Sequence, residues 1–321
     1  MNSTMQTSLD TRPASSASSF RRRVVRDFAL NKYLYVMILP VLAYYIIFHY
    51  FPMYGAIIAF KNYTPIKGIL DSDWVGLAHF QSFFSSYYFW RILKNTLIIS
   101  LYTLCFEFPM PILLALLLNE VRNKAFKKVA QSITYMPYFI SMIVICGMIK
   151  DFTNSGGLIN TLVMNVFGTD GQAFLQKPGM FRAVYVISEI WQRIGWESII
   201  YLAALTGIDQ EQYEAARIDG ASRLQQMWRI TLPGITPVVV IMFILRVGNL
   251  LNVGFEKIIL LYNPVIYETA DVISSFVYRK GLLEFNWSYS TAVGLFNSVI
   301  NLFLLVAANR LSRKFTESSL W

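Results

Sequence analysis

The chain has few charged residues and few of the side chains that bind metals or form disulfides. Only 15% of its 321 residues are charged, against about 25% in soluble domains, and 55% are hydrophobic, with a mean hydropathy of +0.45. Both cysteines, Cys105 and Cys146, lie in apolar runs, and the two histidines, His49 and His79, are far apart. The sequence therefore predicts neither a disulfide nor a metal site.

The sequence also lacks the short motifs that mark common enzymes. It contains no G-x-x-x-x-G-K-[ST] phosphate loop, no G-x-S-x-G elbow and no H-E-x-x-H pair. We therefore predict that the chain is not an enzyme and holds no cofactor of its own. The net charge of +9 would suit nucleic acid, but no nucleic-acid-binding motif accompanies it.

Apolar residues come in runs long enough to cross a bilayer, which takes about 20 residues. The sequence predicts an all-α integral membrane protein with six such helices. The fourth is the least apolar, because Glu189, Gln192, Arg193 and Glu197 interrupt it. The predicted spans cover residues 33–60, 95–118, 132–152, 181–205, 236–261 and 290–311.

Lysines and arginines cluster in four short segments that lie on one side of the membrane if there are six spans. By the positive-inside rule that side is cytoplasmic, together with both chain ends. We therefore expect a largely disordered cytoplasmic tail over residues 1–32, a transmembrane domain over 33–311 and a cytoplasmic tail over 312–321. The basic residues are Arg21, Arg22, Arg23, Arg26, Lys32, Arg122, Lys124, Lys127, Lys128, Arg217, Arg223, Arg229, Arg310, Arg313 and Lys314.

The link between the fourth and fifth spans, residues 206–235, is too long for a simple turn. It predicts two short helices. Ala215 and Ala216 favour the first helix, Gly220 can end it with a positive φ, and Pro233 is expected to end the second before the membrane. An ordinary amphipathic connector on the protein surface would show a similar pattern.

The same link contains E-A-A at Glu214-Ala215-Ala216, then three residues and Gly220, then nine residues and Ile230-Thr231-Leu232-Pro233. This pattern resembles the EAA loop in the permease subunits of ABC importers. The resemblance extends over about residues 30–315. Asn95-Thr96-Leu97 and Tyr135-Met136-Pro137 are similar to the sugar-transporting branch, and the overall similarity favours subunits that import oligosaccharides derived from polysaccharides.

The resemblance implies the type I importer permease fold, in a multi-pass protein of the bacterial cytoplasmic membrane. Two permease subunits, usually different but related chains, would form the pathway, and a solute-binding protein would deliver the sugar. The EAA loop would enter a groove on a cytoplasmic ATPase dimer, which binds the ATP. Asp219 would orient the turn through its side-chain oxygen. Coupling to the ATPase is assigned to Glu214, Ala215, Ala216, Arg217, Asp219, Gly220, Leu232 and Pro233.

Polar residues inside the predicted spans mark either a pathway or contacts between helices. Arg246, Asn249, Asn252 and Glu256 recur at spacings of three, three and four, as one stripe on a fifth helix. Sugar binding needs hydroxyl partners and aromatic faces, and arginines would also suit an acidic sugar. Arg–Glu pairs within the bundle would explain the same residues. The candidate pathway residues are Glu189, Arg193, Trp196, Arg246, Asn249, Asn252 and Glu256.

A second class of function is a self-contained, ion-coupled secondary transporter. Glu189, Glu197 and Glu256 could serve as its coupling carboxylates, but such proteins usually contain internal repeats. No repeat is evident, and the complete E-A-A pattern would go unexplained. A membrane-bound enzyme or signalling protein is a third class, for which catalytic motifs and a sizeable soluble domain are lacking.

Overall fold

A computed structural model describes residues 26–28, 30–168, 171, 173–315 and 319–320. The expected disordered tail falls largely on residues 1–25, outside the described residues. The regular structure of the described part is helical, apart from an antiparallel ribbon that pairs β1 (Lys61–Asn62) with β2 (Asp73–Trp74). The chain divides into two units, Met1–Ile57 and Ile58–Trp321.

The first unit is an apolar helical rod. It contains α1 (Lys32–Tyr45), a π-helical segment (Ile46–Tyr50) and α2 (Phe51–Met53), and none of the residues in these elements is buried. A 3₁₀ segment, Tyr54–Phe60, continues the chain. An apolar rod with no buried face fits a lipid environment, in which apolar side chains need no protein cover.

The second unit consists of short and long helices that follow one another closely. Its helices, in order, are α3 (Gly68–Asp71), α4 (Ala78–Phe84), α5 (Phe89–Tyr102), α6 (Pro109–Glu120), α7 (Lys124–Tyr135), α8 (Met142–Thr153), α9 (Leu158–Phe167), α10 (Pro178–Leu205), α11 (Gln210–Ile218), α12 (Arg223–Gln226), α13 (Leu232–Gly248), α14 (Phe255–Leu261), α15 (Tyr267–Ala270), α16 (Ile273–Tyr278) and α17 (Trp287–Phe315).

Four helices of the described part are long and apolar enough to cross a membrane, and a pair bent by 99° makes up to five. These findings agree with the predicted all-α membrane fold. α10 lies where the fourth span is predicted and is 28 residues long, but its charged residues make it less apolar than the others. The four helices are Lys32–Phe60, Phe89–Glu120, Arg223–Gly248 and Trp287–Lys314; the bent pair is Lys124–Phe139 with Met142–Val166.

The prediction of one fifth helix over residues 236–261 is wrong. α13 ends at Gly248, a turn follows, and α14 begins only at Phe255. Four polar residues therefore do not form one helical stripe: Arg246 lies on α13, Asn249 and Asn252 lie in the turn, and Glu256 lies on α14. The spacing of three, three and four residues does not mark one helix face here, because the residues between Gly248 and Phe255 are not helical.

Three π-helical segments each end two residues before a proline. A proline has no N–H, and its ring clashes with the carbonyl four residues earlier. That carbonyl belongs in each case to the middle of the π segment, whose wider turn lets the helix continue. The segments are Ile46–Tyr50 before Pro52, Thr103–Glu107 before Pro109 and Met227–Thr231 before Pro233.

The prediction that Pro233 ends the second loop helix is therefore wrong. Pro233 lies two residues after a π segment, whose wider turn accommodates its ring and its missing N–H. The helix continues from Arg223 to Gly248. As a result, the end of the loop continues directly into a helix that is long and apolar enough to cross a membrane.

α10 lies at the centre of the second unit and packs against α6, α7, α13 and α15. Close packing on α7 depends on Gly195, since a Cβ there would lie 2.1 Å from the backbone oxygen of Thr134. Phe181 and Tyr185 belong to one buried cluster with residues of α8 and α14, and Tyr201 belongs to a second with α6 and α13. α10 therefore brings its polar residues into the interior of the bundle.

Candidate functional site

The loop between α10 and α13 has the predicted pair of helices and the predicted glycine turn. Asp209 caps α11 by accepting a hydrogen bond from the Glu211 N–H at 3.0 Å. Gly220 follows with a φ of +74°. The Ala221 N–H then donates to the Ala216 carbonyl at 2.8 Å, which is the 6→1 bond of a Schellman motif. The turn therefore requires the backbone freedom of glycine at this position.

α12 begins with a reciprocal cap. The Ser222 side chain accepts from the Gln225 N–H, and the Gln225 side chain accepts from the Ser222 N–H at 2.7 Å. Both helices of the loop are thus defined by local hydrogen bonds within the segment, which explains why the sequence alone predicted them.

Most of the residues assigned to coupling lie on the surface of this loop. Glu214, Ala215, Arg217, Asp219 and Gly220 are exposed, as is Pro233, whereas Ala216 and Leu232 are half-buried. Within the described residues, the turn is held by backbone hydrogen bonds and none reaches the Asp219 carboxylate. The predicted orienting role of that side chain is therefore not seen.

The loop is joined to the bundle at several points. Arg223 lies 3.5 Å from Glu120 at the end of α6, and the Tyr213 hydroxyl lies 2.9 Å from that of Thr231. Leu232 packs against the buried cluster that contains Leu205. A polar cleft of about 740 Å³ lies between the loop and the ends of α6 and α10. A force on the loop would therefore reach α6, α10 and α13 through direct contacts.

A second candidate site is a charged cavity of about 160 Å³ inside the bundle. Five of the seven predicted pathway residues line it. Contributions come from α10, the π segment after α5, the end of α13 and the turn that follows. The lining residues are Thr103, Glu107, Tyr185, Glu189, Arg193, Arg246, Asn249, Leu250, Asn252, Val253 and Gly254.

Both arginines that line this cavity lie in contact with glutamates. Arg193 Nε lies 2.7 Å from Glu189 Oε2, and Arg193 Nη1 lies 3.8 Å from Glu197 Oε1, one helical turn to either side on α10. Arg246 Nη2 lies 2.6 Å from Glu107 Oε2. In this conformation each arginine therefore has an acidic partner, which was the alternative that the sequence had left open.

Sequence reasoning missed two charged residues of this region, Glu107 and Lys257. Glu107 is 2% exposed and Lys257 is fully buried, with its Nζ 3.0 Å from Glu189 Oε1. Each stands as a charged residue within an apolar run, and such residues usually face a pathway or a partner inside a membrane protein. The sequence alone could therefore have marked both residues as candidates. It could not have shown their partners, which lie in distant segments of the chain.

The turn after α13 is held by side chains of neighbouring helices. The Leu251 N–H donates to Asn301 Oδ1 at 3.0 Å, and Asn297 Nδ2 donates to Asn252 Oδ1 at 2.8 Å. The Ser100 hydroxyl donates to the Leu250 carbonyl. The contacts of Asn301 and Ser100 satisfy backbone groups that leave the helix, which stabilises a non-helical turn inside the bundle.

Two predicted pathway residues do not line the cavity. Trp196 instead stacks on Tyr138, with ring centroids 4.7 Å apart and an angle of 4° between the rings. Glu256 is exposed at the start of α14. Trp196 thus joins α10 to the segment after α7, and the displaced position of Glu256 follows from the break in the predicted fifth helix.

A helical chain with apolar helices, a charged internal cavity and an exposed two-helix loop has the features of a transport protein. Residues 108–317 match the family described as binding-protein-dependent transport system inner membrane component, and the chain belongs to this family. The match includes the loop and most of the residues around the cavity.

Two relatives come from Bacillus subtilis (strain 168). The polygalacturonan/rhamnogalacturonan transport system permease protein YteP is 46% identical over 302 residues, which are 94% of each chain. Protein LplB is 43% identical over 292 residues, covering 91% of this chain and 92% of LplB.

The fold is also similar to a chain of a bacterial ABC transporter involved in the import of the acidic polysaccharide alginate, for which a crystal structure exists. That chain is 43% identical, with a TM-score of 0.84, and the similarity covers 92% of this chain and 99% of the other. A second crystal structure, of the alginate transporter with its pentasaccharide-bound periplasmic protein, gives a TM-score of 0.85. The chain therefore has the permease fold of such importers.

Proposed function

We propose that this chain is one permease subunit of an ATP-driven importer and forms half of a pathway for oligosaccharides. A second, related permease would form the other half, a solute-binding protein would deliver the sugar, and a separate ATPase dimer would supply the energy. The observation that carries this proposal is the complete E-A-A pattern on an exposed loop that continues directly into α13. A self-contained secondary transporter would have no use for such a loop.

The proposed substrate class is an acidic oligosaccharide derived from a polysaccharide. The relatives support it, since YteP belongs to a polygalacturonan/rhamnogalacturonan system and the structural neighbour to an alginate importer. Arginines suit carboxylates because the guanidinium group can donate two parallel hydrogen bonds. Arg193 and Arg246, both beside the cavity, are the residues proposed to meet the sugar, together with Asn249 and Asn252.

Six membrane spans with both ends in the cytoplasm are part of the proposal. They require α10 to cross the bilayer despite its charges. Glu189, Gln192 and Gly195 are buried, so its polar face points into the protein, where charged residues of membrane helices normally lie. The bent pair of α7 and α8 would supply the third span.

Coupling is proposed to pass from the ATPase through the exposed face of α11 to α13. Glu214→Lys should uncouple ATP hydrolysis from uptake or prevent assembly, because it reverses a charge on the face that would dock. Gly220→Val should act similarly, because a β-branched residue is strained at positive φ. The measurement is sugar uptake and ATP hydrolysis by the complete complex, reconstituted in proteoliposomes.

Glu284→Lys provides the control, since Glu284 is an exposed carboxylate outside the loop. It should assemble and transport like the wild type. Normal coupled uptake in both Glu214→Lys and Gly220→Val would contradict the proposed role of the loop.

A further inference from the structure

The two arginines beside the cavity are held differently. Arg193 contacts two acids, with Nε 2.7 Å from Glu189 Oε2 and Nη1 3.8 Å from Glu197 Oε1. Arg246 has a partner at Nη2 alone among the described residues, namely Glu107. Both side chains reach the open space of the cavity, with Arg193 35% and Arg246 31% exposed. Arg193 lies between two carboxylates, whereas Arg246 contacts one, so more of the guanidinium N–H donors of Arg246 are left for a ligand.

Glu107 is enclosed far more tightly than the arginine it contacts. Its side chain is 2% exposed and lies at the end of a π segment, beside the cavity. Moving this carboxylate away from Arg246 would leave a buried, unpaired charge, which is strongly unfavourable. A ligand carboxylate is thus expected to bind the free edge of Arg246 while Glu107 keeps its contact with Nη2.

The charges around the cavity balance. Three cations, Arg193, Arg246 and Lys257, face three acids, Glu107, Glu189 and Glu197. A balanced group does not hold an anion by net charge, so any recognition of a carboxylate depends on the geometry of individual donors. A transport site must also release its ligand, which favours weak binding over tight binding.

From these contacts we propose that Arg246 recognises the carboxylate of an acidic sugar in transit. We further propose that Glu107 positions Arg246 and supplies its counter-charge. The negative charge of Glu107 then limits how tightly Arg246 holds the carboxylate of the sugar. The inference rests on the proposed function, because it assigns the acidic substrate to one side chain of the pathway. It makes Arg246 the specificity-determining residue of the two arginines proposed to meet the sugar, and it leaves the fully buried Lys257 with a structural role inside the bundle.

Substitutions of Arg246 and of Glu107 should change the preference for an acidic over a neutral sugar in opposite directions. Arg246→Gln removes the cation and should lower uptake of an acidic sugar on the order of 10-fold, as expected for a lost charge-assisted hydrogen bond. Glu107→Gln retains an acceptor for Nη2 but removes the nearby negative charge. It should raise uptake of the acidic sugar about 3-fold at low concentration and lower the rate at saturation, because release becomes slower.

The test uses the complete complex in proteoliposomes, with a uronic-acid trisaccharide and its neutral methyl ester as probes. The measured quantity is the ratio of the two uptake rates in each variant, divided by the wild-type ratio. The preference of the binding protein cancels, because the same binding protein serves every variant. ATP hydrolysis without sugar reports assembly, and Glu284→Gln, which removes the acid of the exposed Lys280–Glu284 pair, is the matched control.

A ratio that falls with Arg246→Gln, rises with Glu107→Gln and stays constant with Glu284→Gln would support the inference. A merely structural role of the pair would lower uptake of both sugars equally in both variants and would overturn it. If the wild-type complex imports the uronate but Arg246→Gln leaves the ratio unchanged, the inference fails while the proposed function stands. If the wild type imports neither probe, the acidic substrate class fails, and the inference fails with it.

Discussion

At the scale of single residues, Asp271 is a carboxylate enclosed by cations. It is fully buried, with Arg279 Nη2 2.6 Å and Arg91 Nη2 3.2 Å from Oδ2, and it accepts a hydrogen bond from the Ser275 hydroxyl at 2.8 Å. Burial alone would lower the pKa of the Arg279 guanidinium, but the hydrogen bonds and charge of Asp271 hold that pKa above its ordinary value. Asp271 thus stabilises the charged form of Arg279.

Asp271→Asn should therefore destabilise the protein, because it leaves two partly buried arginines without their acid. We expect a loss on the order of 3 kcal/mol, by comparison with other broken buried ion pairs, seen as a lower Tm of the purified complex. Asp73→Asn is the control, since Asp73 forms an exposed pair with Lys67, and its Tm should match the wild type. Equal Tm values for all three proteins would show that Asp271 contributes nothing to stability.

At the scale of secondary-structure elements, the turn from Asn249 to Gly254 decides where the cavity lies. It places Asn249 and Asn252 beside Arg246 and is held by Asn301 of α17, which is 7% exposed. Asn301→Ala would leave the buried Leu251 N–H without an acceptor. Such a group costs about 1–3 kcal/mol, so the Tm should fall and the turn should become more mobile.

Ser298→Ala is the corresponding control on the same helix, because the Ser298 hydroxyl is exposed and bonds only to the Gly294 carbonyl of its own helix. Hydrogen exchange of residues 249–254 would provide the second measurement. Faster exchange in Asn301→Ala and unchanged exchange in Ser298→Ala are expected. Unchanged exchange in both would mean that other contacts hold the turn.

Secondary structure that depends on nearby residues could be predicted from the sequence, whereas structure that depends on distant residues could not. The two helices of the E-A-A loop and the turn at Gly220 were predicted correctly because they depend on residues close together in the sequence, whereas the predicted helix end at Pro233 was wrong. The break after Gly248 was missed, because its acceptors and donors come from Asn301, Asn297 and Ser100 in distant parts of the chain. The pairing of Glu107 with Arg246 was missed for the same reason. The sequence shows a charged residue in an apolar run, but it does not show which distant residue is its partner.

At the scale of the whole molecule, the proposed topology follows from the distribution of basic residues and from α10. The loop at Gln225 and the end of α17 near Arg313 should face the cytoplasm. Ile66, which is fully exposed, and Phe285 in the short link before α17 should face outward. If one of the spans after Ile66 were absent, the number of spans would be odd and the four positions could not keep this division: Gln225 and Arg313 would face opposite sides, or one of them would face the same side as Ile66 or Phe285.

Single cysteines at these four positions would test the topology, in a background with Cys105 and Cys146 replaced by alanine. A membrane-impermeant maleimide added to intact spheroplasts should label positions 66 and 285 and spare 225 and 313, and inverted vesicles should give the reverse. The decisive comparison is between 225 and 285, because the second half of the chain must cross the membrane once between them if α13 is a span. Labelling of both from the same side would exclude six spans, and labelling of position 225 from outside would place the loop out of reach of a cytoplasmic ATPase.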